Sequence, residues 1–390
     1  MEVTWNHYYG TVRKLSSFTG IWPFMSMRAK IFRLCFLTVT MLSLFVPQIA
    51  YQFTCKQNLQ CIFESMTSYL LTSIAALKVY TFVVNIRKIR EMTKHLYADW
   101  KLLESVQEYE IMKSYAENCR QFSLIYPIYC LACVCVFMSV SLIPQILDVI
   151  IPLNESRPIL LPYPGYYFVD YKEYFVYIFW HSLVAFEIIL AGIVAHDCMF
   201  MSYVEHICNI FAVLGYRFEY LFCNQDKIIE NTKADLDSIY RKKIASFVRM
   251  QQEALKFAQV LESIFTIPFA IQLLVGTIGM SITLLQITQS SNFLKILRYA
   301  LYVGGQLFHL FVLSFEGQKL MDHSYQTRDK IYSSTWYEAP MKSQKLLIMV
   351  MIRSLQPTCL SAGKVYIFSL ESFSMVLQTS MSYFTVLASF

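Results

Sequence analysis

Residues 369–390, SLESFSMVLQTSMSYFTVLASF, decide how this chain is read. The segment is mostly apolar and long enough to cross a bilayer, which takes roughly 20 helical residues, yet it carries a small polar side chain on nearly every turn. On a helix Gln378, Ser382, Thr385 and Ser389 stand four, three and four apart and form one stripe, with Met375, Val376, Phe384 and Leu387 expected to point elsewhere. Two readings of such a stripe are open. Ser and Thr serve as small interfacial residues where membrane helices pack, bonding back to their own backbone or across to a neighbour; alternatively, the stripe is wetted. Val386 and Phe390, four apart and beside it, are placed as a hydrophobic constriction that gates by dewetting would be.

The rest of the chain supports a membrane setting. Of its 390 residues 56% are hydrophobic and only 15% charged, with 30 Phe and 27 Tyr, too apolar for a soluble domain of this size. Helical apolar runs occur at 31–53, 62–84, 122–143, 174–201, 262–287, 294–315 and 364–390. An all-α polytopic membrane protein with seven spans in a single domain follows. The N-terminal stretch lacks the short apolar core and cleavage site of a signal peptide, so the first span is expected to direct insertion itself, without processing.

Sidedness comes from the basic residues. The N-terminal segment and the second, fourth and sixth connections hold 25 Lys and Arg, against three (Lys56, Arg157 and Lys172) in the first, third and fifth. That places the N-terminus in the cytoplasm and the C-terminus outside. The sole N-x-Ser/Thr triplet, beginning at Asn154, falls in the third connection and is a glycosylation candidate on the expected outer side. The same connection carries Pro144, Pro152, Pro158, Pro162 and Pro164, fitting an ordered lid or irregular loop over the outer mouth. Cys55 and Cys61 flank a short polar loop and could pair if it faces outward. Cys130, Cys133 and Cys135 lack the His or second Cys pair of a zinc site, so no metal is implied.

The long connections 202–261 and 316–363 read as helical layers on the cytoplasmic side. From 229 to 262 a face recurs at Leu236, Tyr240, Ile244, Phe247, Gln251, Leu255 and Ala258, so an amphipathic helix runs into the fifth span, and its apolar face needs a partner in this chain or another subunit. Residues 241–243, Arg-Lys-Lys, sit on its outer side as a solvated face or a lipid-headgroup contact. A further helix is expected near 343–355. Glu187, mid-span, needs a proton or a partner; Lys78 is nearest by depth, and the alternative is a hydrogen bond to a ligand or to His181.

Residues 356–390 resemble the C-terminal signature of insect odorant receptors: Pro357, the Ser-Ala-Gly-Lys run 361–364, Ser-Leu-x-x-Phe at 369–373 and Tyr-Phe-x-x-Leu at 383–387. Gly-Ile-Trp-Pro at 20–23, the length and the seven spans are similar to that family as well. Gustatory receptors end in Thr-Tyr and Gln-Phe, where this chain has Ser382-Tyr383 and Ser389-Phe390, which favours the odorant branch. The resemblance implies a ligand-gated, non-selective cation channel in the plasma membrane of a sensory dendrite. Four subunits would surround one pore lined by the last helix, with a shared co-receptor completing a heterotetramer and a cytoplasmic anchor joining the subunits. Carried onto this chain, the pore wall is Gln378, Ser382, Thr385, Val386, Ser389 and Phe390, with Val386 and Phe390 as the gate.

The resemblance also implies a ligand pocket in the outer halves of the second, third, fourth and sixth spans. Topology selects Phe63, Met66, Tyr69 and Ser73, then Cys133, Phe137 and Val140, then Tyr177, Ile178 and His181, and finally Tyr302 and Gln306. These suit a small, neutral, largely apolar odorant or pheromone. No Lys or Arg is among them, so a carboxylate ligand is not expected. Beyond odorant, co-receptor and membrane lipid, no cofactor or nucleic acid is implied. A G-protein-coupled receptor has the opposite sidedness, and no Asp-Arg-Tyr or Asn-Pro-x-x-Tyr triplet stands where one would need it. His-Glu-x-x-His and Gly-x-Ser-x-Gly are also missing, which disfavours an intramembrane enzyme.

Overall fold

The computed structural model describes residues 2–55, 58–153, 157–222 and 233–388. Within them the order is α1 (Glu2–Phe18), α2 (Met27–Thr54), α3 (Leu59–Val84), α4 (Ile86–Ala98), α5 (Val106–Ser139), α6 (Ile143–Ile150), α7 (Phe175–Glu219), α8 (Lys233–Gln289), α9 (Phe293–Ser333), α10 (Met341–Arg353), a hairpin of β1 (Ser361–Ala362) and β2 (Tyr366–Ile367), and α11 (Leu370–Ala388). Among the described residues six helical stretches are long and apolar enough to cross a membrane: α2, α3, α5 with α6, α7, α8 and α9. Each of the first six expected spans lies on one of these stretches, most of which run well beyond it. α11 has 19 residues, enough to span when tilted little, but six of them are Ser or Thr.

α7 is the axis of the bundle. Residues 194–211 are buried without interruption, hence on every side of the helix, because α1, α2, α3, α5, α8 and α9 all pack against it. A helix that is apolar all round belongs in such a place. Its 45 residues run about 68 Å at 1.5 Å each, more than twice the hydrocarbon thickness of about 30 Å. With α8 and α9, of 57 and 41 residues, it projects from one end of the bundle into a second core, where Leu214, Phe218, Ile244, Phe247, Ile331 and Leu347 meet.

That second core answers which partner the amphipathic helix finds. Tyr240, Ile244, Phe247 and Ala258 are buried, and the Gln251 amide donates to Ser354 Oγ at 3.0 Å. The apolar face is thus covered by α7, α9 and α10 of the same chain. The helix is described from Lys233, and residues 229–232 lie outside the described residues. Arg241, Lys242 and Lys243 are exposed.

At the other end, expected outside, Cys55 and Cys61 are joined in a disulfide with Cα atoms 5.5 Å apart. The connection after α6 folds as an extended lid, its prolines barring a helix, with the Tyr166 N–H donating to the Pro47 carbonyl at 2.9 Å and Tyr163 buried. Asn154, with Glu155 and Ser156, lies outside the described residues.

The expected last span, 364–390, needs correction. Tyr366 and Ile367 form a strand antiparallel to Ser361 and Ala362, in register Ser361 with Ile367 and Ala362 with Tyr366. Gly363 and Lys364 turn the chain in the left-handed region, at φ 61° and 60°. The helix starts at Leu370, and Ser369 caps it by accepting from the Ser372 N–H at 3.0 Å. A short apolar run such as Val365 to Phe368 reads equally as strand or helix, so periodicity alone could not place this start.

Candidate functional site

A small cavity of about 40 Å³ lies beneath the lid, between α3, α5, α8 and α9. Glu64, Thr67 and Ser68 reach it from α3, Phe137 from α5, Thr283 from α8, and Arg298, Tyr299 and Tyr302 from α9, while Pro162, Tyr163 and Pro164 form its roof. One charged group neutralises another at its rim: the Glu64 carboxylate accepts from Lys295 Nζ at 3.2 Å and from the Tyr299 hydroxyl at 3.0 Å. Arg298 is buried, donates to the Leu161 carbonyl at 2.8 Å and stands 5.8 Å from the Tyr299 ring centroid. Arg298, which is not among the residues selected from sequence, thus lines this cavity. Tyr163 holds the roof through hydrogen bonding to Tyr167, whose hydroxyl also reaches His181 Nδ1 at 3.1 Å and Ser182 Oγ at 3.3 Å.

Of the residues selected from sequence, Phe137 and Tyr302 line this cavity. Gln306 lines a second one, about 20 Å³, one turn deeper. Phe63, Met66 and Tyr69 are half-buried on the flanks of α3, and Ser73 is exposed with its hydroxyl on the Tyr69 carbonyl at 2.8 Å. Cys133 is exposed, Val140 and Ile178 are buried away from the cavity, and Tyr177 is 74% exposed. His181 is exposed and bridges Ser43 and Tyr167, both at 3.1 Å, which fixes α7 to α2 and the lid. On α3 the selection is out of phase by one residue, because topology gives the depth of a residue and not its azimuth, whereas in a bilayer the polar residues turn to the bundle interior. Glu64, Ser68 and Thr72, each four apart, were the signal that marks the inner face.

Below the second cavity a buried charge network joins five helices. Asp197 accepts from Lys78 Nζ at 2.7 Å, His309 Nε2 at 2.9 Å, the Tyr126 hydroxyl at 3.2 Å and His196 Nδ1 at 3.0 Å. Gln272 donates to His309 Nδ1 at 2.8 Å, which puts the His309 proton on Nε2, facing Asp197. Lys78 and Asp197 are each 1% exposed, so four donors around one carboxylate are what make the burial tolerable. Lys78 is consequently not the partner of Glu187. Glu187 instead accepts from the Cys135 thiol at 3.2 Å, its second oxygen has no partner among the described residues, and it does not meet His181. Depth alone gives Glu187 the wrong partner, because Lys78 is taken by Asp197, ten residues further along the same helix and on a different face.

The second cavity reaches the last helix. Its wall includes Gln272, Gln306, His309 and Phe368, the last of these two residues before α11. Phe368 packs edge-on against Phe269 with centroids 5.2 Å apart, and Phe373 of α11 meets Phe311 of α9 at 5.5 Å. On α11, Phe373 and Val376 pack against the bundle, while Gln378, Ser382 and Thr385 are exposed. The Ser382 and Thr385 hydroxyls donate to the carbonyls of Gln378 and Ser382, both at 2.9 Å. Met375, expected to point away from the stripe, is 53% exposed on the same face, seven residues before Ser382, and Glu371 extends that face one turn lower. Ser389 and Phe390 lie outside the described residues, as does the Val386 side chain. Cys130, Cys133 and Cys135 have free thiols, and among the described residues no group could hold a metal ion.

A profile of the 7tm Odorant receptor family matches residues 58–381, so the chain belongs to that family. It is a multi-pass membrane protein of a receptor family, consistent with the plasma membrane of sensory neurons. Odorant receptor 13a of Drosophila melanogaster is 22% identical over 290 residues, 70% of this chain and 68% of that relative. Odorant receptor 85c of the same species is 21% identical over 299 residues, 75% and 73% respectively. The structure of the insect olfactory receptor OR5 from Machilis hrabei in complex with eugenol superposes with a TM-score of 0.80 at 13% identity, covering 99% of both chains. At that identity the likeness establishes the fold.

Proposed function

We propose that this chain is the odorant-recognising subunit of a ligand-gated, non-selective cation channel, acting with co-receptor subunits in a heterotetramer, its C-terminus outside. The observation that carries the reading is the exposed polar face of α11: Glu371, Gln378, Ser382 and Thr385 are left uncovered by the described residues, while Phe373 and Val376 are packed. A spanning helix with such a face requires water or another subunit beside it. Glu371 at the inner end favours cations over anions. The disulfide at Cys55–Cys61, at home in an oxidising compartment, supports the proposed sidedness.

The ligand is a small, neutral, largely apolar volatile held beneath the lid by Phe137 and Tyr302, with Thr67 and Ser68 as polar anchors. Eugenol, in the complex of the Machilis receptor, is of that chemical kind. The 40 Å³ available is little more than the roughly 30 Å³ share of one water, so the ligand enters only as the Tyr163 roof and Tyr302 give way. Displacement of Tyr302 passes along one face of α9 to Gln306 and His309, and from there to Phe368, which precedes the pore helix. The test is current recorded against an odorant panel with and without a co-receptor. Aqueous thiol reagents are then applied to S382C and V386C. Modification during agonist exposure supports the pore wall, whereas complete protection at both positions rejects it.

A further inference from the structure

A cavity of about 850 Å³ opens at the opposite end from the lid, where α4 crosses α5, α7 and α8. Its floor is apolar, formed by Met92, Met112, Ile210, Val213, Phe257 and Val260. Its rim is basic: Arg87, Lys88 and Arg90 from α4, Arg217 from α7, Arg249 and Lys256 from α8. Four carboxylates share the rim, but three are already engaged. Glu104 joins Glu108 around Arg217 at 3.4 and 2.8 Å, Glu91 pairs with Lys94 at 2.8 Å, and Asp99 accepts from His206 at 2.9 Å.

The cations, apart from Arg217, have only neutral partners or none. Lys88 donates to Ser263 Oγ at 3.2 Å, Arg90 to the Pro23 carbonyl at 3.0 Å, and Arg249 to the Ala245 carbonyl of its own helix at 3.4 Å. Arg87 and Lys256 have no hydrogen-bond or ion-pair partner among the described residues. Five positive charges thus face Glu253 alone. α4 begins two residues after α3 ends, so Arg87 lies within about one helical turn of the expected inner end of a span, at headgroup depth.

We propose that this groove binds an anionic phospholipid of the inner leaflet, with a multiply phosphorylated headgroup among Arg87, Arg90, Arg249 and Lys256 and an acyl chain along Met92, Phe257 and Val260. Guanidinium groups match phosphate oxygens bidentately, and the apolar floor selects a lipid over a free phosphate ester. The Arg-Lys-Lys run 241–243 is not part of the site, although it is the most basic stretch of α8.

The test uses the full chain solubilised in detergent and a fluorescent dioctanoyl phosphatidylinositol bisphosphate. The triple variant R87Q/R249Q/K256Q is expected to bind roughly a hundredfold more weakly, as three basic groups near a phosphorylated surface are lost. The control K242Q/K243Q should bind as the parent does. Dioctanoyl phosphatidylcholine should not compete, and soluble inositol trisphosphate should compete far less well than the lipid. Unchanged binding by the triple variant, an equal loss in the control, or full competition by the soluble trisphosphate or by phosphatidylcholine would overturn the proposal. If the triple variant does not fold, a photoreactive acyl chain on the unaltered protein decides: labelling of peptides containing Met92 or Phe257 supports the site, and labelling confined elsewhere rejects it.

Discussion

In α7, several of the polar side chains that enter the bundle are answered by other segments of the same chain. Asp197 meets Lys78 and His309, Ser202 meets Cys119 at 3.2 Å, Glu205 meets Lys319, and His206 meets Asp99. In α11, Ser382 and Thr385 bond only to backbone one turn back, and Gln378 is exposed. Both helices run through apolar sequence interrupted by polar residues. What separates them is that one is enclosed by the monomer, whereas the other keeps a face the monomer cannot close. In the first, polar residues hold helices together; in the second, Gln378, Ser382 and Thr385 stay exposed among the described residues.

Breaking the enclosed side should have the largest effect. Replacing Lys78 with Met strands the Asp197 charge and should cost about 3–5 kcal/mol, read as loss of folded receptor at the cell surface or as a large drop in unfolding temperature in detergent. The double replacement K78M/D197L should recover most of that loss; equal damage in single and double variants would contradict a paired role. Next comes Gly317→Ala, whose added Cβ would lie 2.2 Å from the Phe368 carbonyl oxygen. A displaced hairpin should cost about 1–3 kcal/mol, measured by thermal unfolding, and should impair gating in the protein that still folds.

Smaller still is Tyr302→Phe, which removes a hydroxyl from the cavity wall. The odorant concentration for half-maximal current should rise up to about tenfold, the equivalent of one hydrogen bond, with unfolding temperature unchanged. A parallel loss of stability would make Tyr302 structural only. On the open side, Ser382→Leu should alter stability by less than about 0.5 kcal/mol while reducing current through the assembled channel. If instead the substitution destabilises the isolated subunit, the contrast between α7 and α11 fails.

Much of this was legible beforehand, and the misses share one cause. The stripe Gln378, Ser382, Thr385 was visible because a 3.6-residue period relates positions within one helix. So was the apolar face of α8, although that period could not say that α7, α9 and α10 cover it. Depth along the second span selects Phe63, Met66 and Tyr69, whereas Glu64, Thr67 and Ser68 line the cavity; the rotation of α3 about its axis is not written in a helix that is apolar nearly all round. Glu187 reads as needing a partner, and depth points to Lys78, which pairs with Asp197 instead, because depth along a span is readable and azimuth is not. Arg298 sat at the start of a span and reads as a boundary residue, yet the lid's Leu161 carbonyl draws it inward.

By itself, the sequence determined the membrane class, the presence of long apolar helices, the family, and the polar line along the last helix. Those depend on composition and on spacing along one chain, which local physics fixes. Tertiary structure alone decided which face of each helix is interior, which charges meet, where the lid closes, and that the hairpin at 361–367 precedes the last helix. Lipid is as apolar as a protein core, so hydrophobicity cannot orient a helix in a bilayer; packing and the pairing of buried polar groups must do so, and both exist only once the helices have assembled.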